Sequence, residues 1–415
     1  MTNKKNQSDL RIINRANVLR LICEHPYLTR QEISERLGLS KMAVVNIITE
    51  YENKGYVQES IVPSFGTRCE CVGRPSFRVN VVPNSVLALC LFFSEMEITC
   101  SLVNFRCEVL ASRSITPSTK EGNAELFEKA DRLMEQVLEA GAEYTHLIRG
   151  IGIAAVGLID SLNGRIIVAD NFPHINNMDV VAHYERKYQL PVFLSNDMDA
   201  SAIAERHYGR AIDTQNFIYM GVNSCIGLGI YVHDSIYRGY NGFAGELGFT
   251  TIDYRGRRSP FGYRGRLESY VRIDNYVKKV NSDIAKGRCC SEFSRHPVQW
   301  IDIVHKASEG DQYCQKIIYT IGDYLSIAVA NIMNLFDPEK IVIGGLVASA
   351  GSMITDYISD QIYGKTIISH FSEFLTPSSR NEPPIVLSAF ADRGAVAGAG
   401  TLYFDALFQG KVSLL

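Results

Sequence analysis

Long apolar stretches are missing from this chain. The longest uninterrupted run, Val86 to Phe93, has eight residues, and a membrane-spanning helix needs about 20. The first residues, Met1 to Arg11, are polar, which predicts no secretory leader and a cytoplasmic protein without membrane contacts. Metal or redox cysteine pairs are also missing: the ten cysteines include no Cys-x-x-Cys. Cys23, Cys90, Cys100, Cys225 and Cys314 stand apart in apolar surroundings, as buried thiols do. Net charge nearly cancels, with 42 Lys and Arg against 45 Asp and Glu. What is present is ordinary globular composition, 46% hydrophobic and 21% charged over 415 residues. That is too apolar for disorder and long enough for roughly two to four domains.

The small net charge of −3 hides an asymmetry. Residues 1–80 carry 12 basic and 8 acidic side chains, a net of +4, and the remainder carries 30 and 37, a net of −7. A basic head on an acidic body fits nucleic-acid binding confined to the head. Ile12, Val18, Leu19 and Ile22 form a helical stripe over 11–24, closed by Pro26. Thr29 with Glu32 three residues later is a capping box, and the helix it opens ends at Gly38. Ser40 caps a third helix from Lys41 to about Asn53. Two short helices around a glycine turn are the helix-turn-helix pattern. Residues 55–59 and 77–80 then predict two strands and an intervening loop, a wing.

In the third helix Val44, Ile47, Ile48 and Tyr51 repeat at helical spacing and belong to the core. Ser40, Lys41, Ala43, Val45 and Asn46 are left as DNA-facing candidates, together with Met42 and Thr49. Asparagine can bridge an adenine edge, and Ala or Val methyls pack on thymine methyls. Arg30 and Lys41 suit phosphates. Arg74, in Gly73-Arg74-Pro75, suits a narrow minor groove or a salt-bridged linker.

From residue 81 the chain alternates apolar strands with helical stretches, an α/β pattern. The segment from Val86 to Ser112 has the rhythm of three strands with tight turns. The segment from Asn216 to Gly239 repeats it about 130 residues later, which predicts an internal duplication of two lobes. Four motifs stand out. Gly150–Asp160 is a strand ending in a glycine turn. Val192–Glu205 delivers Asn196 and Asp197 to a strand end before a helix. Gly242–Phe249 sets Glu246 among glycines. Ile341–Gly351 ends a buried strand in Gly344-Gly345. Carboxylates and amides at strand ends beside glycine loops are what a polyol site needs.

Together and in this order, the motifs resemble the ROK family (repressor, open reading frame, kinase) over nearly the whole chain, including the winged helix of its repressor branch. The resemblance implies a two-lobed actin/sugar-kinase-like body preceded by a winged helix. Its expected limits are 1–80 for the head, 81–200 for the first lobe with a C-terminal helix near 393–415, and 201–392 for the second lobe. It also implies sugar contacts from Gly157, Asn171, Asn196, Asp197, Glu246 and Glu268, with Asp197 as the base in the kinase branch.

The departures from the family pattern carry as much information. The family's first phosphate loop, Gly-x-Asp-x-Gly-Gly-Thr, falls on Cys90 to Met96, where all five defining positions differ. Phosphate loops need glycines so that N–H groups converge on the anion. Glu95 instead places a like charge there, which costs about 4 kcal/mol at ~4 Å and an effective dielectric of ~20. Asn223-Ser224-Cys225 stands where Gly-Thr-Gly is expected. The family's zinc ligands fall on Phe249, Ser259, Phe261 and Arg266, none of which offers the thiolate or imidazole that zinc prefers. The loop 254–268 is rich in arginine, which suits an anion or simply a solvated basic surface.

These features predict a DNA-binding transcriptional regulator, a repressor by resemblance, of carbohydrate genes. Operator DNA, a sugar effector and a second copy of the chain are its expected partners. No catalytic residue, metal or cofactor is expected. The alternatives are a carbohydrate kinase with an auxiliary DNA-binding head, and a regulator whose cleft takes no sugar and whose signal is a protein partner.

Overall fold

The computed structural model describes residues 7–61, 77–118, 120–169, 174–258, 262–289, 291–294, 296–375 and 383–415. Met1–Asn196 with Ala399–Leu415 form one compact unit and Asp197–Gly398 a second. The expected limits were 80, 200 and 392. The head is therefore grouped with the first lobe, because Arg106 Nη2 donates to Asn80 Oδ1 at 2.6 Å and the Phe105 N–H donates to the Pro83 carbonyl.

In the head, α1 (Gln7–Glu24), α2 (Arg30–Leu37) and α3 (Lys41–Asn53) precede β1 (Val57–Ile61) and β2 (Phe77–Val81), which pair antiparallel. The local signals fix the ends. Thr29 caps α2 in a full capping box with Glu32, Gly38 ends it at φ 63°, and Ser40 accepts from the Ala43 N–H to open α3. Val18, Leu19 and Ile22 of α1 are fully buried with Ile33, Val44 and Ile48. Ile12 departs from the expected stripe: it is 37% exposed, at the rim of the head.

The first lobe has a five-stranded sheet. Its strands are β3 (Leu87–Phe93), β4 (Ile98–Asn104), β5 (Val109–Ile115), β6 (Ile148–Ala155) and, after a ribbon of β7 (Leu158–Asp160), β8 (Arg165–Val168) and β9 (Met178–Asp179), β10 (Val192–Asn196). The order is β10-β6-β3-β4-β5. The helices α4 (Asn123–Ala140) and α5 (Val180–Tyr188) pack on one face, where Leu126, Met134, Val137 and Tyr184 meet Leu89, Leu91 and Ile151.

The second unit begins with α6 (Asp197–Tyr208). It contains β11 (Phe217–Val222), β12 (Ile226–Val232), β13 (Ser235–Ile236), α7 (Glu268–Val271), α8 (Ile273–Ala285), α9 (Trp300–Ser308), α10 (Gln312–Phe336), β14 (Lys340–Gly344), α11 (Ser352–Ile362), α12 (Ile367–His370) and β15 (Ile385–Leu387). Its order, β13-β12-β11-β14-β15, repeats the first sheet strand for strand. In both sheets two antiparallel pairings are followed by two parallel ones, so the rhythm seen in the sequence is a duplicated topology.

The last helix, α13 (Gly394–Phe408), starts in the second unit and ends in the first. There it lies so close to β6 that a β-carbon on Gly152 would sit 1.9 Å from the Ala399 carbonyl oxygen. Only glycine admits that approach.

Candidate functional site

Two regions follow from the motifs, the α3 face of the head and the strand ends of the body. On α3 the residues Val44, Ile47, Ile48 and Tyr51 are buried, as their spacing predicts. The opposite face presents Met42, Asn46, Thr49 and Asn53, one residue per turn, with Met42 68% exposed. Ala43, Asn46 and Thr49 also line a shallow groove whose other wall is Leu10, Arg11 and Asn14 of α1. Val45 is half-buried beside this face, and Lys41 is exposed at its N-terminal end.

Two groups stand out among the cations of the head. Arg11 and Arg15 both bind Glu50, and Arg30 binds Glu52 at 3.1 Å and Glu59 at 2.5 Å. Arg30, expected at a phosphate, thus ties α2 to α3 and β1. Arg36, Lys41 and Lys54 are exposed and make none of the ion pairs found among the described residues. Arg74 lies outside the described residues.

In the first unit, Gly157 has φ 100°, and a β-carbon there would lie 2.4 Å from the Val168 carbonyl oxygen, so the turn requires glycine. Its carbonyl accepts from Asn196 Nδ2 at 3.2 Å. Two of the expected sugar contacts therefore sit together, while Asn171 lies outside the described residues. Asp160, next along this turn, accepts from the backbone N–H and the side chain of Asn163. The Asn163 bonds hold its carboxyl below the usual range.

The β3–β4 turn is the first phosphate-loop position. Ser94 Oγ accepts the Glu97 N–H, and the Ser94 N–H and Oγ both donate to the Glu97 carbonyl, closing the turn on itself.

In the second unit, Asp197 opens α6, largely buried, and its carbonyl accepts from Ser201 Oγ at 2.7 Å. Glu246 precedes the short 3-10 turn Leu247–Phe249, and Glu268 opens α7. Gly248, two residues after Glu246, approaches α7: a β-carbon there would be 3.3 Å from Glu268 Cβ. The Arg266 guanidinium lies over the Phe249 ring at 4.4 Å and over the Tyr263 ring at 4.0 Å, and its Nη1 is 3.7 Å from Glu268 Oε1.

These residues do not fit the zinc that the resemblance brings with it. Phe249 and Arg266 are an apolar ring and a permanent cation, and the other two positions, Ser259 and Phe261, lie outside the described residues.

The second phosphate-loop position is also closed from within. Asn223 Oδ1 accepts the Leu346 N–H at 2.7 Å, just beyond Gly344-Gly345. The Leu346 carbonyl in turn accepts from Trp300 Nε1 at 2.8 Å. Gly345, at φ 79°, would place a β-carbon 2.7 Å from Asn223 Oδ1.

A buried acid escaped the sequence reading. Asp199, two residues into α6, pairs with Arg238 at 3.2 Å, and burial raises its carboxyl to about 6 despite that cation. Its pKa is raised on folding, so the stability it contributes is full below its unfolded value, ~3.9. That contribution is lost as pH rises through about 6. Urea titrations of the wild type and Asp199→Asn should therefore converge or cross with rising pH. The wild type should lose on the order of 2–3 kcal/mol relative to the variant between pH 4 and 7.

Comparison with known proteins agrees with this architecture. A model of the ROK family matches residues 94–405, and one described as winged helix-turn-helix DNA-binding matches 13–58. The chain belongs to the ROK family and carries a winged helix-turn-helix head. It is 27% identical over 398 residues to a xylose repressor of Caldicellulosiruptor bescii, covering 95% of this chain and 96% of that one. It is 23% identical to the DNA-binding transcriptional repressor Mlc of Escherichia coli, covering 96% and 94%. Among solved structures, a ROK family transcriptional regulator described as a homologue of the E. coli Mlc protein superposes with a TM-score of 0.78 at 25% identity, covering 97% of each chain. A ROK glucokinase of Streptomyces griseus shares the fold at a TM-score of 0.61 and 18% identity, over 76% of this chain and 98% of that one.

Proposed function

We propose that this protein is a transcriptional repressor of carbohydrate-metabolism genes. A homodimer presents two winged helices to a palindromic operator, and the ROK body binds a sugar or sugar derivative that controls them. The observation that carries the reading is a combination on one chain: a solvent-facing α3 stripe of Met42, Asn46 and Thr49, and phosphate-loop positions at which the Ser94 and Asn223 N–H groups are bonded inside the protein. The names of the full-length relatives support repression and a sugar signal. A single winged helix makes few contacts, and a dimer reads two half-sites.

The proposed base contacts are Ala43, Val45 and Asn46. The proposed phosphate contacts are Ser40 and Lys41, and the proposed minor-groove contact is Arg74. Arg30 would have to leave two carboxylates to reach DNA, so its role is structural. The proposed sugar contacts are Gly157, Asn171, Asn196, Asp197, Glu246 and Glu268. Phe249 is not proposed as a stacking platform, because one face of its ring is taken by Arg266.

The test is selection of bound fragments from a genomic library by the full chain, followed by titrations on the selected and scrambled duplexes at several salt concentrations. Lys41→Ala should weaken both duplexes alike and lower the salt slope by about one. Asn46→Ala should cost about 1–3 kcal/mol on the selected duplex only. Equal losses on both duplexes for both variants would remove α3 as the base reader. Addition of D-xylose, D-glucose or N-acetyl-D-glucosamine should shift operator affinity if the body is a sugar sensor.

A further inference from the structure

We propose that Arg266 does the ordering work of a metal in this protein: it is a positioning residue that holds Glu246 and Glu268 at a fixed separation. The guanidinium is clamped between the Phe249 and Tyr263 rings at 4.4 and 4.0 Å, with Glu268 Oε1 at 3.7 Å. Its side chain is only 12% exposed and that of Glu268 19%. A cation over two aromatic faces with a carboxylate beside it has several attractive partners at once.

The backbone around it is closed in the same way. Thr251 and Arg266 form an antiparallel bridge, the Leu267 N–H donates to Thr250 and the Ile252 N–H to Gly265. The Arg257 N–H donates to the Tyr270 hydroxyl at 2.8 Å. Gly265 permits the closure, since a β-carbon there would overlap the Asp253 carbonyl oxygen at 1.6 Å.

Each end of the clamp leads to a carboxylate. Phe249 is three residues after Glu246, and its N–H donates to the Glu246 carbonyl at 3.2 Å. Arg266 is two residues before Glu268. The ring–guanidinium stack therefore joins the two segments that carry the carboxylates. A flat delocalised cation suits this role and an ammonium does not, because only the guanidinium stacks over two rings while its edge faces an acid.

Hydrogen exchange of the full chain, read by mass spectrometry on peptides spanning 250–268, tests the clamp without any ligand. Exchange there should rise about tenfold in Arg266→Ala and in Phe249→Leu, and by less in Arg266→Lys. Phe249→Tyr, which keeps the ring face, should retain wild-type protection, and so should the wild type treated with EDTA. Unchanged protection in Arg266→Ala overturns the proposal. So does wild-type protection lost to EDTA, which would make a metal the ordering element. Melting temperatures of the four variants identify any that fail to fold; Arg266→Lys and Phe249→Leu keep the test decisive if Arg266→Ala is one of them.

The positioning claim rests on the sugar-sensor reading. It is tested by calorimetric titration with whichever of D-xylose, D-glucose and N-acetyl-D-glucosamine binds the wild type. Arg266→Ala and Phe249→Leu should then bind about tenfold more weakly and Phe249→Tyr normally. Wild-type affinity in variants whose loop has loosened overturns the positioning claim. No binding by the wild type to any of the three counts against the sugar reading, and the exchange experiment still judges the clamp.

Discussion

A coupled ADP-release assay over glucose, xylose, N-acetylglucosamine and N-acetylmannosamine should detect no turnover approaching ~1 s⁻¹, the low end of ordinary enzyme rates. A phosphoryl donor needs backbone N–H groups that converge on its oxygens and are free to do so. At the first loop position the Ser94 N–H donates to the Glu97 carbonyl and the Glu97 N–H to Ser94 Oγ, while Glu95 brings a charge where the family has a glycine and Met96 a thioether where it has a threonine. At the second, the Leu346 N–H is taken by Asn223 Oδ1, and Asn223 is itself fixed, its N–H on Cys225 and its carbonyl on Ile273.

Displacing Asn223 would leave part-buried donors and acceptors unpaired, at up to about 1–3 kcal/mol for each. Nucleotide binding would have to supply that energy before gaining anything. Asn223→Gly frees the Leu346 amide but not the first turn, so this variant should remain inactive too. ADP release that is sugar-dependent and abolished by Asp197→Asn would overturn the prediction and restore the kinase alternative.

The parts of this protein that could be read from its sequence are those set by neighbours in the chain. Thr29, Glu32, Gly38 and Ser40 act within one helical turn, and each does what its type and spacing imply. The buried face of α3 follows from helical periodicity alone. The duplication was visible as a repeated rhythm of strands, because both sheets are built from the same succession of hairpins and crossovers.

What could not be read are pairings between distant positions that leave no periodic trace. Arg30 finds its carboxylates 22 and 29 residues away, so a basic residue on α2 looked free for DNA when it was not. Arg266 meets Phe249 from 17 residues further along. The sequence showed only that both positions were wrong for zinc, not that the replacements would stack. Asn223 and Leu346 are 123 residues apart, so a changed glycine loop was legible but its internal hydrogen bond was not.

The buried acid Glu205 was equally invisible, and its removal should give the largest loss of stability. Glu205 lies on α6 with no exposed surface. Its carboxylate accepts the Arg210 N–H at 2.7 Å, the Ser388 hydroxyl and the Ala389 N–H at 2.9 Å. It therefore fastens the helix that Asp197 opens to the chain leaving β15. Burial raises its pKa and these donors oppose the rise. Glu205→Ala leaves three donors without their acceptor and opens a cavity behind them. Breaking a buried charged network in this way costs about 3–5 kcal/mol, a large share of the 5–15 kcal/mol that typically holds a domain together. For a unit of about 200 residues that corresponds to a melting temperature lower by roughly 6–20 °C. Glu205→Gln should lose less, because one amide oxygen still accepts while its NH₂ faces the remaining donors. Differential scanning calorimetry of the three proteins decides it. Equal melting temperatures for Glu205→Ala and the wild type would mean that the Arg210, Ser388 and Ala389 donors find other partners, and that the carboxylate does not fix α6.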